Sequence, residues 1–119
     1  MQEEVKEWLD KARSDLEIAK YDFKGEYYED ACFHAQQAAE KALKAVYIGK
    51  FKELLKIHDV KLLAQKVGAS EEIVEAGDGL NPYYIAARYP VMEEPPGKKD
   101  AEEAIIMSEK VLKWAEKKA

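Results

Sequence analysis

The feature that most constrains the fold is a run of small apolar residues recurring every three or four positions between residues 31 and 46. This spacing places them on one face of a helix. Small side chains let a second helix approach closely, so we predict a helix from about Tyr27 to Ile48, closed by Gly49. Its apolar face comprises Ala31, Ala35, Ala38, Ala42 and Val46, widened by Cys32, Ala39 and Leu43.

The same spacing predicts two further long helices. One covers residues 3–23, and Gly25 ends it as a C-terminal cap residue. The other begins near Lys99 and ends near Lys117, after a loop containing Pro90, Pro95, Pro96 and Gly97.

Shorter helices are predicted between them from their capping residues. Asp59 caps a helix over residues 60–67, and Ser70 caps the next one. Gly77-Asp78-Gly79 is expected to interrupt that second helix. Asn81 followed by Pro82 then indicates a new helical turn, because proline suits the first helical position.

These elements predict an all-α fold. No stretch alternates as a β-strand does, and 119 residues are enough for one core. We therefore expect a single domain over residues 1–119, folded as an up-and-down bundle of four to five helices.

Charge and apolar content exclude several classes of protein. The net charge is −5, so a nucleic-acid site would have to be a local patch. The one cysteine, Cys32, is typical of a core residue in a reducing compartment. No apolar run approaches the ~20 residues needed to span a membrane. Since the N-terminus is polar and acidic, we expect a cytoplasmic protein without a signal peptide or membrane contact.

No cofactor or metal is predicted. Gly77-Asp78-Gly79 lacks the lysine and hydroxyl residue of a phosphate-binding loop. The two histidines are far apart in the sequence, and neither has a cysteine or histidine partner at ligand spacing.

Four polar residues of the second helix form the first candidate site. His34, Gln37, Lys41 and Lys44 follow one another at steps of three, four and three, so they share one side of the helix. Two lysines beside an imidazole and an amide can hold a phosphate, and histidine can move a proton near neutral pH. The alternative is a solvated face opposite the alanine stripe.

Two further sets of residues are candidates. In the segment from Tyr83 to Pro90, Arg88 and Tyr89 combine a planar donor with an aromatic ring that can stack on a base. The alternative is that its tyrosines pack the end of the bundle. His58 and Asp59 form a secondary candidate, for which the alternative is a helix cap with a packed histidine.

The order of these motifs resembles a known family. The run Phe-His-Ala-Gln-Gln-Ala-Ala-Glu-Lys-Ala-Leu-Lys-Ala at residues 33–45 is similar to the signature helix of the HEPN (higher eukaryotes and prokaryotes nucleotide-binding) domain. Ala-Arg-Ser-Asp-Leu at residues 12–16, His58-Asp59 and Arg88-Tyr89-Pro90 fit the same family in the same order.

This resemblance implies a helical bundle that commonly forms a homodimer and acts in nucleotide binding or RNA processing. It also implies a minimal nucleotidyltransferase as partner, in a two-component system of the toxin–antitoxin kind. The ribonuclease members carry an arginine followed about four to six residues later by a histidine. Here the corresponding windows after Arg13 and Arg88 contain no histidine.

We therefore consider three hypotheses and assign no catalytic residue. The leading one is a non-catalytic HEPN module that binds a nucleotide or RNA and pairs with a nucleotidyltransferase. The second is a metal-independent RNase toxin in which Arg88 works with His34 or His58. The third is a purely structural protein that dimerises and docks a partner.

Overall fold

The computed structural model describes residues 2–86 and 94–119, which fold into five helices of seven residues or more and one five-residue helix. No β-strand occurs in these two ranges, so the predicted all-α class is confirmed. The helices are α1 (Gln2–Lys24), α2 (Tyr28–Phe51), α3 (Val60–Lys66), α4 (Glu71–Leu80), α5 (Pro82–Ala86) and α6 (Lys98–Lys118).

The second helix is the centre of the bundle. Fourteen of its 24 residues are buried, and the predicted stripe from Ala31 to Val46 lies in the core. Ion pairs fix the helix directions. Asp22 and Asp15 on α1 meet His34 and Lys41 on α2, so these helices are antiparallel.

The last helix runs parallel to α2. It is antiparallel to α1, because Arg13 pairs with Glu116 and Lys20 pairs with Glu109. The beginning of α1 and the ends of α2 and α6 therefore lie at the same end of the bundle.

The cap predicted for α3 is confirmed, and it also joins separate parts of the chain. Asp59 Oδ1 accepts a hydrogen bond from the Leu62 backbone N–H at 3.0 Å. The Asn81 side chain donates to the same Asp59 oxygen at 2.8 Å and accepts from the Val60 N–H at 2.7 Å. Asp59 thus connects the start of α3 to Asn81, the residue between α4 and α5. As predicted, a helix begins at Pro82.

Two predictions based on glycine are wrong. The second helix continues through Gly49 to Phe51, and Lys52, with φ of 61°, forms its C-cap. The fourth helix continues through the predicted interruption at residues 77–79 to Leu80. A β-carbon at Gly77 would lie 3.0 Å from the backbone of Val60 and Lys61. Gly77 therefore lets α4 approach α3 closely instead of ending the helix.

Candidate functional site

Two of the four predicted residues on α2 are bound to carboxylates of α1. His34 Nδ1 lies 2.8 Å from Asp22 Oδ2 and 3.0 Å from the carbonyl oxygen of Asp30. Both neighbours are acceptors, so Nδ1 carries the hydrogen. Lys41 Nζ donates to Asp15 Oδ2 at 2.6 Å. These contacts hold His34 and Lys41 between the two helices and balance the charge of Lys41.

The other two predicted residues belong to a second group on α2. Gln37 donates to Gln36 at 2.7 Å, and Gln36 donates to Glu40 Oε1 at 3.1 Å. Lys44 Nζ donates to Glu40 Oε2 at 3.0 Å and lies 5.8 Å from the ring centre of Trp8. Lys44 is only 5% exposed, so this side of the helix is not a solvated face.

The carboxylate of Glu40 also holds His58, 18 residues further along the chain. His58 Nδ1 lies 3.1 Å and 3.2 Å from the two oxygens of Glu40. The His58 ring stacks on Tyr84, with ring centres 4.4 Å apart and planes 13° apart. We call Gln36, Glu40, Lys44 and His58 the Glu40 cluster.

One member of the Glu40 cluster reaches the surface. Gln36, Glu40 and Lys44 are buried, whereas the His58 side chain is 51% exposed. Because Nδ1 faces a carboxylate, it carries a hydrogen, and Nε2 is left for other partners. None of the described residues forms a hydrogen bond to Nε2. The geometry therefore presents one imidazole nitrogen outward from a buried polar centre.

The charge of the Glu40 cluster depends on His58. Lys44 and Glu40 cancel, so the cluster is neutral when His58 is neutral and carries one positive charge when His58 is protonated. Neutral His58 offers an acceptor at Nε2, and protonated His58 offers a donor there. The same position can therefore accept a proton or bind an anion.

The other candidate residues fall outside this arrangement. Arg88 and Tyr89 lie outside the described residues. Asp59 follows His58 in the chain, but its carboxylate is occupied by the α3 cap and by Asn81. The two residues of the secondary candidate thus have different surroundings.

Metal and thiol chemistry have little support in residues 2–86 and 94–119. These ranges contain no group of three or more His, Cys, Asp or Glu side chains arranged to hold a metal ion. Cys32 is fully buried. Burial and the nearby Asp100 carboxylate raise the pKa of its thiol to about 12, although a hydrogen bond with Tyr83 acts in the opposite direction. The thiol is thus a poor nucleophile at neutral pH. None of the described helices is long and apolar enough to cross a membrane.

Sequence reasoning missed the residue that organises the site. Glu40 stands four residues from Gln36 and from Lys44, so spacing alone could have indicated a polar row on α2. The contacts of Glu40 with His58 and of His58 with Tyr84 join residues 18 and 26 positions apart, and no local pattern predicts them.

Comparison with known proteins identifies the family. The model of the HEPN domain matches residues 5–118, nearly the whole sequence. The chain belongs to the HEPN family. The segment matched to the HEPN domain includes most of α1, all of α2 and every member of the Glu40 cluster.

Relatives of known structure share this fold. The chain is 34% identical to TT1696 from Thermus thermophilus, with a TM-score of 0.88 over 97% of this chain and 98% of that one. It is 30% identical to ST0689, described as an archaeal HEPN homologue, with a TM-score of 0.81 over 95% of each chain. A curated relative from Methanocaldococcus jannaschii, named "Putative toxin MJ1304", is 30% identical over 91% of this chain and 83% of its own.

Proposed function

We propose that this protein is the HEPN member of a toxin–antitoxin-type pair and binds the phosphate of a nucleotide or RNA at the Glu40 cluster. The observation that carries the proposal is the contact of buried Glu40 with half-exposed His58. It holds an imidazole at the surface with Nε2 outward, and a protonated imidazole there forms a charge-assisted hydrogen bond to phosphate.

The surroundings of His58 support an anionic ligand. Lys44 and His58 both contact the carboxylate of Glu40. Because Lys44 balances the charge of Glu40, protonation of His58 gives the cluster a net positive charge. Tyr84 stacks on the imidazole and fixes the plane of its ring. Gln37 is hydrogen-bonded into the cluster through Gln36, and we propose that it forms the edge of the site.

The other residues predicted from the sequence keep a secondary place in the proposal. Arg88 follows Tyr84 by four residues, and we propose that Arg88 and Tyr89 contribute a planar cation and a second ring. His34 and Lys41 are already bound to Asp22 and Asp15. We propose that these pairs persist when the ligand binds, so that neither side chain contacts it.

The family and the name of the Methanocaldococcus jannaschii relative support the biological setting that we propose. We propose a minimal nucleotidyltransferase as partner and a homodimer as the working form. The free thiol of Cys32 supports a cytoplasmic location. Analytical ultracentrifugation of the pure protein tests the dimer, and co-purification with a co-expressed nucleotidyltransferase tests the pair.

Binding to RNA tests the proposed site directly. A fluorescently labelled short RNA is titrated with wild-type protein and with His58→Asn, His58→Gln and His34→Asn variants, and AMP is added as a competitor. Asparagine can keep the hydrogen bond to Glu40 but lacks a group at the Nε2 position, whereas glutamine can place an amide there. Since a hydrogen bond to a charged group contributes about 1.5–3 kcal/mol, we expect His58→Asn to weaken binding at least tenfold.

The control variants make this result specific. His34→Asn should change affinity less than twofold, and His58→Gln should retain more affinity than His58→Asn. Equal affinity of wild type and His58→Asn would contradict the proposed site. Equal losses in the His34 and His58 variants would point to a general effect on folding.

One observation favours RNA cleavage as a second candidate function. Glu40 directs the hydrogen of His58 to Nδ1, and no residue in the described part of the chain forms a hydrogen bond to Nε2, the nitrogen that a general base would use. In such a reaction His58 would accept the proton of a ribose 2′-hydroxyl, whose oxygen forms a bond to the adjacent phosphorus. The bond from phosphorus to the 5′-oxygen breaks, and the 5′-oxygen leaves with the electron pair and takes a proton from water. Cleavage by wild type that is lost in both His58→Asn and Arg88→Ala supports this function, and cleavage that persists in both rejects it.

A further inference from the structure

A groove beside the C-terminal part of α2 carries a separate cluster of charge. It has a volume of about 900 Å³ and lies where α1 begins and α2 and α6 end. We call it the basic groove, because its lining includes five cations and no aspartate or glutamate: Lys6, Arg13, Lys50, Lys52 and Lys118. Ala119 also lines it.

Four of the five cations have no carboxylate partner within the described part of the chain. Arg13 is paired with Asp10 and Glu116, but the ion pairs among residues 2–86 and 94–119 include none of the four lysines. Lys52 donates to the carbonyl oxygen of Gly49, and this neutral partner leaves its charge uncompensated. A chain of net charge −5 therefore concentrates positive charge in one groove.

Helix ends explain only part of this concentration. Lys50, Lys52 and Lys118 lie at the ends of α2 and α6, where a cation is favoured by the helix dipole. That effect does not account for Lys6, near the beginning of α1, or for the apolar surface between the lysines. Val5 and Trp114 are partly exposed in the groove, and Leu9, Val46 and Val67 close its base.

We propose that the basic groove binds an acidic, amphipathic peptide segment of another protein. Its lysines can pair with glutamate or aspartate, while Val5 and Trp114 receive an apolar side chain of the segment. The lining fits a peptide better than a nucleic acid. Trp114 is the one aromatic residue that lines the groove among the described residues, and Lys118 Nζ already lies 5.9 Å from its ring centre. Aliphatic side chains offer a base no stacking surface.

The basic groove is distinct from the Glu40 cluster, so the inference does not rest on the phosphate site proposed above. Lys50 stands ten residues beyond Glu40 on the same helix, a separation of about 15 Å at the usual helical rise. The amide signals of Val5 and Gly49 report on the basic groove, and those of Glu40 and His58 report on the Glu40 cluster.

Peptide titration of the full chain tests the proposal. The probe is a synthetic amphipathic peptide of about 16 glutamate and leucine residues, with leucine at helical spacing. A peptide of the same composition with scattered leucines and an oligouridine of equal charge are the comparison ligands. We expect the amphipathic peptide to bind most tightly and to shift the amide signals of Val5, Gly49 and Trp114.

Two matched double variants separate the groove from general charge effects. The groove variant combines Lys6→Glu with Lys118→Glu. It changes one residue near the start of a helix and one at the end of a helix, and both residues line the basic groove. Lys99→Glu with Lys24→Glu makes the same changes at exposed positions outside the groove lining. The groove variant should bind the amphipathic peptide at least tenfold more weakly at low salt, and the control variant should bind it like wild type.

Three results with the peptides alone would overturn the proposal. These are absence of peptide binding by the folded wild type, equal weakening in both double variants, and equal binding of the amphipathic and scattered peptides. Tighter binding of oligouridine than of the amphipathic peptide, with shifts at Val5 and Gly49, would assign the groove to nucleic acid and would also reject the proposal. His58 does not line the basic groove, so a loss of RNA binding in the His58→Asn variant would concern the Glu40 cluster and would not change the interpretation of the peptide titration.

Discussion

The carboxylate of Glu40 holds the ammonium group of Lys44 at 3.0 Å, although both side chains are almost completely buried. Taking two charges out of water costs more than their attraction returns unless further hydrogen bonds satisfy them. Here Gln36 and His58 bind the same carboxylate. The structure thus maintains a polar centre inside a helical bundle, and its one exposed group is the imidazole.

Removal of Glu40 should destabilise the protein more than removal of the whole pair. In Glu40→Ala, the buried charge of Lys44 has no partner, so we expect the free energy of unfolding to fall by about 3–5 kcal/mol. Combining Glu40→Met with Lys44→Met replaces the pair by apolar side chains and should recover at least half of that loss. Urea denaturation followed by circular dichroism measures both. A loss below about 1 kcal/mol in Glu40→Ala would mean that the pair is solvated.

Alanine should have opposite effects on the stability of the protein at two glycine positions, Gly49 and Gly77. A β-carbon at Gly49 would lie 3.5 Å from Val5 Cγ2, an ordinary contact, and alanine favours a helix over glycine. We expect Gly49→Ala to stabilise the protein by about 0.5–1 kcal/mol.

Gly77→Ala should destabilise it by about 1–3 kcal/mol, because the new methyl group would meet the backbone of α3 at 3.0 Å. Thermal unfolding of the two variants side by side measures the contrast. Equal shifts in Tm would show that the contact of α4 with α3 is not tight.

Stability should decline in alkaline solution because of one buried and one partly buried group. Burial raises the pKa of Cys32 from 9.0 to about 12 and that of Tyr83 from 10.0 to about 12. As the pH rises from 9 towards 12, the unfolded chain loses protons that the native chain keeps, so the free energy of unfolding falls. Well below pH 9 both groups are protonated in both states and contribute no pH dependence.

The Cys32→Ala variant isolates the contribution of the thiol. Its free energy of unfolding should fall less steeply between about pH 9 and pH 11 than that of wild type, when both are measured by urea denaturation. Tyr83→Phe should have a similar effect for the phenol. Parallel pH profiles of wild type and Cys32→Ala would contradict the burial of the thiol.

Features set by neighbouring residues could be predicted from the sequence. The alanine stripe depends only on helical spacing, and the Asp59 cap requires only an acceptor three residues before Leu62. The burial of the stripe and the hydrogen bond from the Leu62 N–H to Asp59 confirm both predictions. The effect of a glycine depends on what packs against it. Gly77 faces the backbone of α3 within a continuous helix, and no rule about local sequence includes that neighbour.

The candidate site shows the same division. His34 and Lys41 share a side of α2 as predicted, but their partners come from α1, and those contacts occupy the groups that a ligand would need. Lys44 follows Lys41 on this side of α2, but its ammonium group is buried against Glu40. The contact of His58 with Glu40 joins different parts of the chain, so the spacing of residues does not predict it.

The most direct test of the central claim uses the two histidines of the chain. The ¹⁵N-labelled protein is titrated with AMP while the imidazole signals of His58 and His34 are followed by NMR. We predict that the His58 Nε2 signal shifts saturably, that His58 Nδ1 stays protonated towards Glu40, and that the His34 signals remain in place. A saturable shift of His34 without His58, or no shift of either at millimolar AMP, would contradict the assignment of the Glu40 cluster as the nucleotide site.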